Sequence, residues 1–68
     1  MTNEELKEAL FSGVPVVCDG IRYQRITAIV YRVVNKELFI SGELLDGSGN
    51  SVLYAPARRI ELYKEGKT

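Results

Sequence analysis

Apolar and polar residues change period once along this chain, near Gly13. Before it, Leu6, Ala9 and Leu10 fall at i, i+3 and i+4, the stripe of one helix face. Thr2 followed by Glu5 matches a capping box, in which hydroxyl and carboxylate each satisfy an otherwise orphaned backbone N–H. Glu4 and Glu5 sit where the helix dipole favours acids, and Gly13 is a natural stop. The spacing predicts a helix over residues 3–11. A helix of two or three turns is not stable alone in water, so it must dock on something.

After Gly13 the period is two, interrupted by turn residues: Asp19-Gly20, Asn35-Lys36 and Asp46-Gly47-Ser48-Gly49-Asn50. Val14 to Cys18 reads as a first strand, placed at a sheet edge because Pro15 cannot donate to a ladder. Asp19-Gly20 is a strong signal for a two-residue type I′ hairpin. That register sets Cys18 against Ile21 and Val16 against Tyr23, all on one face. A second strand from Ile21 to Val34 is long enough to require a bend near Arg25-Ile26. Continuing its parity points Thr27, Ile29, Tyr31 and Val33 inward. A turn at Asn35-Lys36 sets Val33 opposite Leu38, Tyr31 opposite Ile40, Ile29 opposite Gly42 and Thr27 opposite Leu44, with no bulge needed. A five-residue third loop sets Leu44 against Val52 and lays the Tyr54 ring over Gly42. Ala55-Pro56-Ala57-Arg58-Arg59 breaks the pattern, and Ile60 and Leu62 form a short last strand.

Five short strands sharing one apolar face predict a mainly β, closed or nearly closed antiparallel barrel with a short N-terminal helix, a single domain over residues 1–63. Residues 64–68 have nothing to bury and read as a disordered tail. The stretch Gly13-Val14-Pro15-Val16, Asp19-Gly20-Ile21-Arg22-Tyr23, Leu44-Leu45-Asp46 and Gly49-Asn50-Ser51-Val52 resembles, in its general layout, small SH3-like barrel proteins of phages and mobile elements. That resemblance implies a five-stranded SH3-like barrel. It covers most of the chain but consists of turns and strands. The acidic loop and aromatic row of a peptide-binding SH3 domain are absent, and no family site carries over.

Composition narrows the chemistry. The 68 residues suffice for one small domain, 46% hydrophobic and 26% charged; at this size burial barely exceeds ordering entropy. Nine bases and nine acids cancel, unlike the footprint of a strongly basic nucleic-acid binder. Residues 20–36 nonetheless hold Arg22, Arg25, Arg32 and Lys36 with no acid between them. The single cysteine forms no internal disulfide, the start is acidic without an apolar signal region, and no stretch is long enough to span a membrane. These features predict a cytoplasmic protein that does not enter a membrane.

Without histidine, a Ser-His-Asp triad, a Cys-His pair and any His-bearing metal site are excluded. Cys18 reads as a buried small hydrophobe. Gly47-Ser48-Gly49-Asn50 reads as a hairpin loop, since a phosphate cradle needs a lysine and a following helix. Tyr23, Tyr31 and Tyr54 read as inward-facing core rings. No catalytic residue, metal ligand or cofactor is expected, and the chain reads as non-enzymatic. The unusual feature is the outer face, where Ile26, Val30, Phe39, Leu45 and Leu53 interrupt what should be a polar surface. The N-terminal helix, a second copy or another protein must cover part of it. The first reading is a protein-interaction module, its partner an unidentified protein or itself. The alternative is a nucleic-acid-binding accessory protein. The candidate binding residues are Arg22, Arg32, Phe39, Arg58 and Arg59.

Overall fold

A computed structural model of the protein describes residues 1–64. One helix, α1 (Asn3–Ser12), precedes six strands: β1 (Val16–Cys18), β2 (Ile21–Tyr23), β3 (Arg25–Val34), β4 (Glu37–Leu45), β5 (Val52–Pro56) and β6 (Ile60–Leu62). A single 3₁₀ turn, Ala57–Arg59, joins the last two. The strands form two antiparallel sheets of three, in the orders β2-β1-β6 and β3-β4-β5. The expectation of a closed five-stranded SH3-like barrel is therefore wrong. The long second strand divides at Gln24 into β2 and β3, and neither sheet closes on itself. Three-residue strands such as β1, β2 and β6 carry too few ladder bonds to wrap around the larger sheet. The helix takes the place that a closing wall would fill.

The helix forms as its sequence dictates. Thr2 Oγ1 accepts from the Glu5 N–H at 3.2 Å, and Glu5 Oε1 accepts from the Thr2 N–H at 2.8 Å. Gly13 ends it at φ 71°, a left-handed value that costs glycine little. Leu6 and Ala9 are buried, and Leu10 packs against the same core. The backbone nitrogen of Met1 donates to the carbonyls of Ala57 and Ile60, at 2.6 and 3.1 Å, tying the start of the helix to the 3₁₀ turn.

Both two-residue hairpins are as expected. Asp19 and Gly20 have φ of 54° and 81°, and Asn35 and Lys36 have 52° and 66°, the pair of positive values that type I′ requires. Cys18 faces Ile21 and Val16 faces Tyr23; Val33 faces Leu38, Tyr31 faces Ile40 and Ile29 faces Gly42. β1 is central, however, with β2 on one side and β6 on the other. Pro15 precedes the strand, so its missing donor costs nothing, and its carbonyl accepts from the Tyr63 N–H at 3.1 Å.

Two register changes overturn the expected inner face. The first is a bulge in β3: Ile26 pairs with Leu44, yet Ala28 pairs with Glu43, leaving Thr27 extra. Unbroken parity would bury the Thr27 hydroxyl and expose Ile26. The bulge buries Ile26 completely, a difference of about 1.5–3 kcal/mol for a side chain of this size. It also turns Thr27 toward Glu43, whose carbonyl and carboxylate accept from its hydroxyl. The second change is in the third loop. Leu45 pairs with Val52, one residue later than expected, and the Asp46 N–H donates to the Ser51 carbonyl at 2.8 Å. Ala55, not Tyr54, therefore lies opposite Gly42. Asp46 organises the turn by accepting from the Ser48 and Ser51 hydroxyls, which holds its carboxyl below the usual range.

The core comprises Leu6, Ala9, Val16, Cys18, Ile26, Leu44, Ala55 and Ile60, drawn from the helix and from five of the six strands. Gly42 sits at its tightest point. A Cβ there would lie 2.8 Å from Ile60 Cδ1 and 3.6 Å from Leu6 Cδ2. The gap expected to take a tyrosine ring is thus filled by Ile60 and Leu6. Ile21, expected inward, is 57% exposed at the edge of the smaller sheet. Of the expected tail, Lys64 is exposed coil and residues 65–68 lie outside the described residues.

Gly42→Ala should destabilise the fold by about 1–3 kcal/mol, because Ile60 is fully enclosed and cannot swing aside. Gly47→Ala, with open space around it, should change stability by less than about 0.5 kcal/mol. Urea denaturation of both variants checks the contrast. Cys18 is buried, and burial raises its thiol pKa. The folded protein should react slowly with a thiol reagent near neutral pH and the unfolded chain rapidly; equal rates would remove Cys18 from the core.

Candidate functional site

The helix packs on the inner face of β3-β4-β5, where Leu6 approaches Gly42. It does not cover the outer face, one of the three covers anticipated for it. Along the outer face, residues follow the register in successive levels. Val34 pairs with Glu37, Arg32 with Phe39, Val30 with Ser41, Ala28 with Glu43 and Arg25 with Leu45, while β5 adds Pro56 beside Ser41, Tyr54 beside Glu43 and Val52 beside Leu45. Val30, Arg32, Val34, Phe39, Ser41 and Tyr54 line a shallow open groove of about 670 Å³ on this face.

The anticipated outer apolar set survives in part. Val30, Phe39 and Leu45 are on this face. Ile26 is in the core because of the bulge, and Leu53, opposite Leu44, is on the inner face. Tyr54, expected inward, joins the outer face through the loop register and is 59% exposed. A polar residue at an inward position, Thr27, was the sequence signal for the bulge that could have corrected this assignment.

The polar end of the groove is a chain of three side chains. Glu43 accepts from the Thr27 hydroxyl and from the Tyr54 hydroxyl, each at 2.6 Å. Both bonds favour the carboxylate, so the pKa of Glu43 is held below its usual value, and the Tyr54 phenol is raised by the same contact. Tyr54 is thereby oriented beside the groove. Sequence reasoning missed Glu43 and Tyr54 because their meeting depends on both register changes.

The five candidate binding residues do not form one cluster. Arg32 and Phe39 are cross-strand partners on the open face, and Arg58 lines a second shallow depression that includes Phe39. Arg22 is on the smaller sheet, its guanidinium 4.8 Å from the centre of the Tyr63 ring. Arg59 is engaged by Asp19, its Nε donating at 3.2 Å, with a closer contact from Nη2 to the other carboxylate oxygen.

The β3–β4 hairpin is longer than the core beneath it. From Tyr31 to Phe39 every residue is exposed, including Val33 at 68% and Leu38 at 58%. The hairpin tip thus extends as an arm with apolar groups on both faces. The Tyr31 hydroxyl reaches back to donate to Asn3 Oδ1. Among the described residues no group of three or more potential metal ligands gathers, and no helix is long and apolar enough to cross a membrane.

Compared with protein-family models, curated proteins and solved structures, the chain matches none, and the likeness to barrels of phages and mobile elements is neither supported nor opposed by these comparisons.

Because the pKa of Glu43 is lowered in the folded state, its contribution to stability is complete above its unfolded value and is lost as pH falls through the folded one. Tyr54→Phe removes one of the two bonds. The Glu43 carboxyl in that variant should titrate at higher pH than in the parent, followed by its side-chain NMR shift. An unchanged titration would show that Tyr54 does not hold the carboxylate.

Proposed function

We propose that this protein is a non-catalytic interaction module that presents the outer face of β3-β4-β5 to a protein partner. The observation that carries this reading is the apolar groove on the face the helix leaves uncovered. Phe39 is 45% exposed and Tyr54 59%, beside Val30 and Val34. Aromatic side chains next to an arginine are typical anchors of protein interfaces. Tyr54 is also held in place before binding, by Glu43, which lowers the ordering cost of association.

Nucleic-acid binding is the competing reading, favoured by the proximity of Arg32, Phe39 and Arg58. Two observations weigh against it. Arg59 is neutralised by Asp19, and Arg22 is on the other sheet, against Tyr63. A platform for single strands needs its cations and rings along one track.

A photo-crosslinking amino acid in place of Phe39 tests the reading. It should capture a defined protein, a second copy included, whereas the same group in place of the exposed Glu8 on the helix should not. Equal capture at both positions would overturn the assignment of this face. Fluorescence anisotropy with random single- and double-stranded oligonucleotides should show no binding with a steep salt dependence. Such binding, lost in Arg32→Glu, would establish the competing reading instead.

A further inference from the structure

We infer that the partner for the open sheet face is a second copy of this chain, packed face to face about a two-fold axis through the Val30–Ser41 level. The inference rests on the reading of this face as a protein-binding surface and names its occupant.

The charge pattern carries it. Four charged side chains stand on this face, Arg25 and Arg32 on β3 and Glu37 and Glu43 on β4, with the neutral Tyr54 phenol on β5 beside Glu43. The ion pairs among the described residues are Lys7–Glu4 and Arg59–Asp19, so none of the four has an ion-pair partner among them, Glu43 accepting only from the neutral hydroxyls of Thr27 and Tyr54. The strand columns are thus of opposite sign, basic on β3 and acidic on β4. The Val30–Ser41 level lies midway between the Arg32–Phe39 and Ala28–Glu43 levels, and again between Val34–Glu37 and Arg25–Leu45.

A two-fold axis in the plane of the interface, perpendicular to the strands at this level, exchanges these levels pairwise. Arg32 of one copy then stands over the level of Glu43 of the second copy, one strand away, or ~4.8 Å laterally. Arg25 stands in the same relation to Glu37 of the second copy. Facing sheets lie ~10 Å apart, a gap that an arginine and a glutamate bridge between them. Every pair is repeated by the symmetry, giving four complementary contacts around a centre of Val30 and Ser41, with Phe39 one level away over Glu43 of the second copy, as an isologous interface requires. Phe39 also comes to the level of Tyr54 of the second copy. Other registers of the same two faces do not match both sets of charges.

Size sets the strength. The face is about nine residues long, ~30 Å at 3.3 Å per residue, but two strands wide, ~10 Å, over much of that length, and three wide only where β5 pairs with Ser41–Leu45. That is at the low end for specific interfaces, so the dimer is reversible and depends on concentration. A net charge of zero offers no long-range repulsion against it.

Sedimentation equilibrium with charge-reversed variants tests the arrangement. The parent should dimerise as concentration rises, with an apparent two-fold mass by ~1 mM. Arg32→Glu alone and Glu43→Arg alone should each weaken the dimer at least tenfold. An equimolar mixture of the two should restore it, because in the mixed dimer every interfacial pair is again opposite in sign. Should Glu43→Arg disturb the bulge, seen by circular dichroism, Arg25→Glu and Glu37→Arg give the same test on two exposed residues. Ser41→Lys, which sets two like charges on the axis, should abolish association. A parent that stays monomeric, or a mixture no stronger than its components, overturns the inference. If the parent stays monomeric while the probe at position 39 captures a different protein, the interaction module stands and only its occupant was misassigned. If the probe captures nothing, both fail.

Discussion

The fold depends on a close approach at Gly42. The larger sheet has one inner face to bury, and the covering elements are short: a ten-residue helix and three-residue strands. Leu6 from the helix and Ile60 from the last strand reach the sheet at the same point, where a missing side chain lets them in. Ala55 on the neighbouring strand keeps the space small. A bulkier residue at position 42 would hold the helix and the smaller sheet away together. In a domain this small, with eight buried side chains in its core, little other packing could compensate.

The bulge at Thr27 decides what the molecule shows to its surroundings. By shifting β3 one residue, it moves Ile26 into the core and brings Thr27 to Glu43. The longer third loop shifts β5 in turn and carries Tyr54 to the same carboxylate. Core and candidate site are thus set by the same two irregularities. Each satisfies burial on one side of the sheet and assembles a polar contact on the other. Bulges recur beside functional surfaces for this reason, since one extra residue redirects a whole strand face.

The excess length of the β3–β4 hairpin supplies the remaining material for interaction. Its ladder runs past the point where the helix and the smaller sheet end, so its distal residues have pairing but no cover. Paired backbone keeps the arm ordered, while Val33, Val34, Leu38 and Phe39 stay exposed. Burying such groups between subunits would add stability that the small core does not provide. Alternating columns of base and acid would set the register, as charge does at other interfaces.

Local chemistry was legible in the chain itself. The capping box, the glycine stop, the type I′ turn at Asp19-Gly20 and the position of the turn at Asn35-Lys36 follow from residue types whose preferences act within four positions, and the pairing next to each turn follows from them. Nearness to the turn fixed the pairing of Cys18 with Ile21 but not their burial, for Cys18 is buried as expected on the central strand and Ile21 is exposed on the edge strand. What lay farther from a turn was not legible. Extending parity from Ile21 to Thr27 and Leu44 failed because a bulge costs little locally and is chosen by which side chain the distant core accepts. The third loop was misread by one residue because several lengths close it about equally well, and Ala55 fits opposite Gly42 where a tyrosine would not. Whether the sheets closed, which face the helix covered, and whether Glu43 met Tyr54 were decided by packing among segments far apart in sequence, where only the assembled volume of the core distinguishes one register from the next.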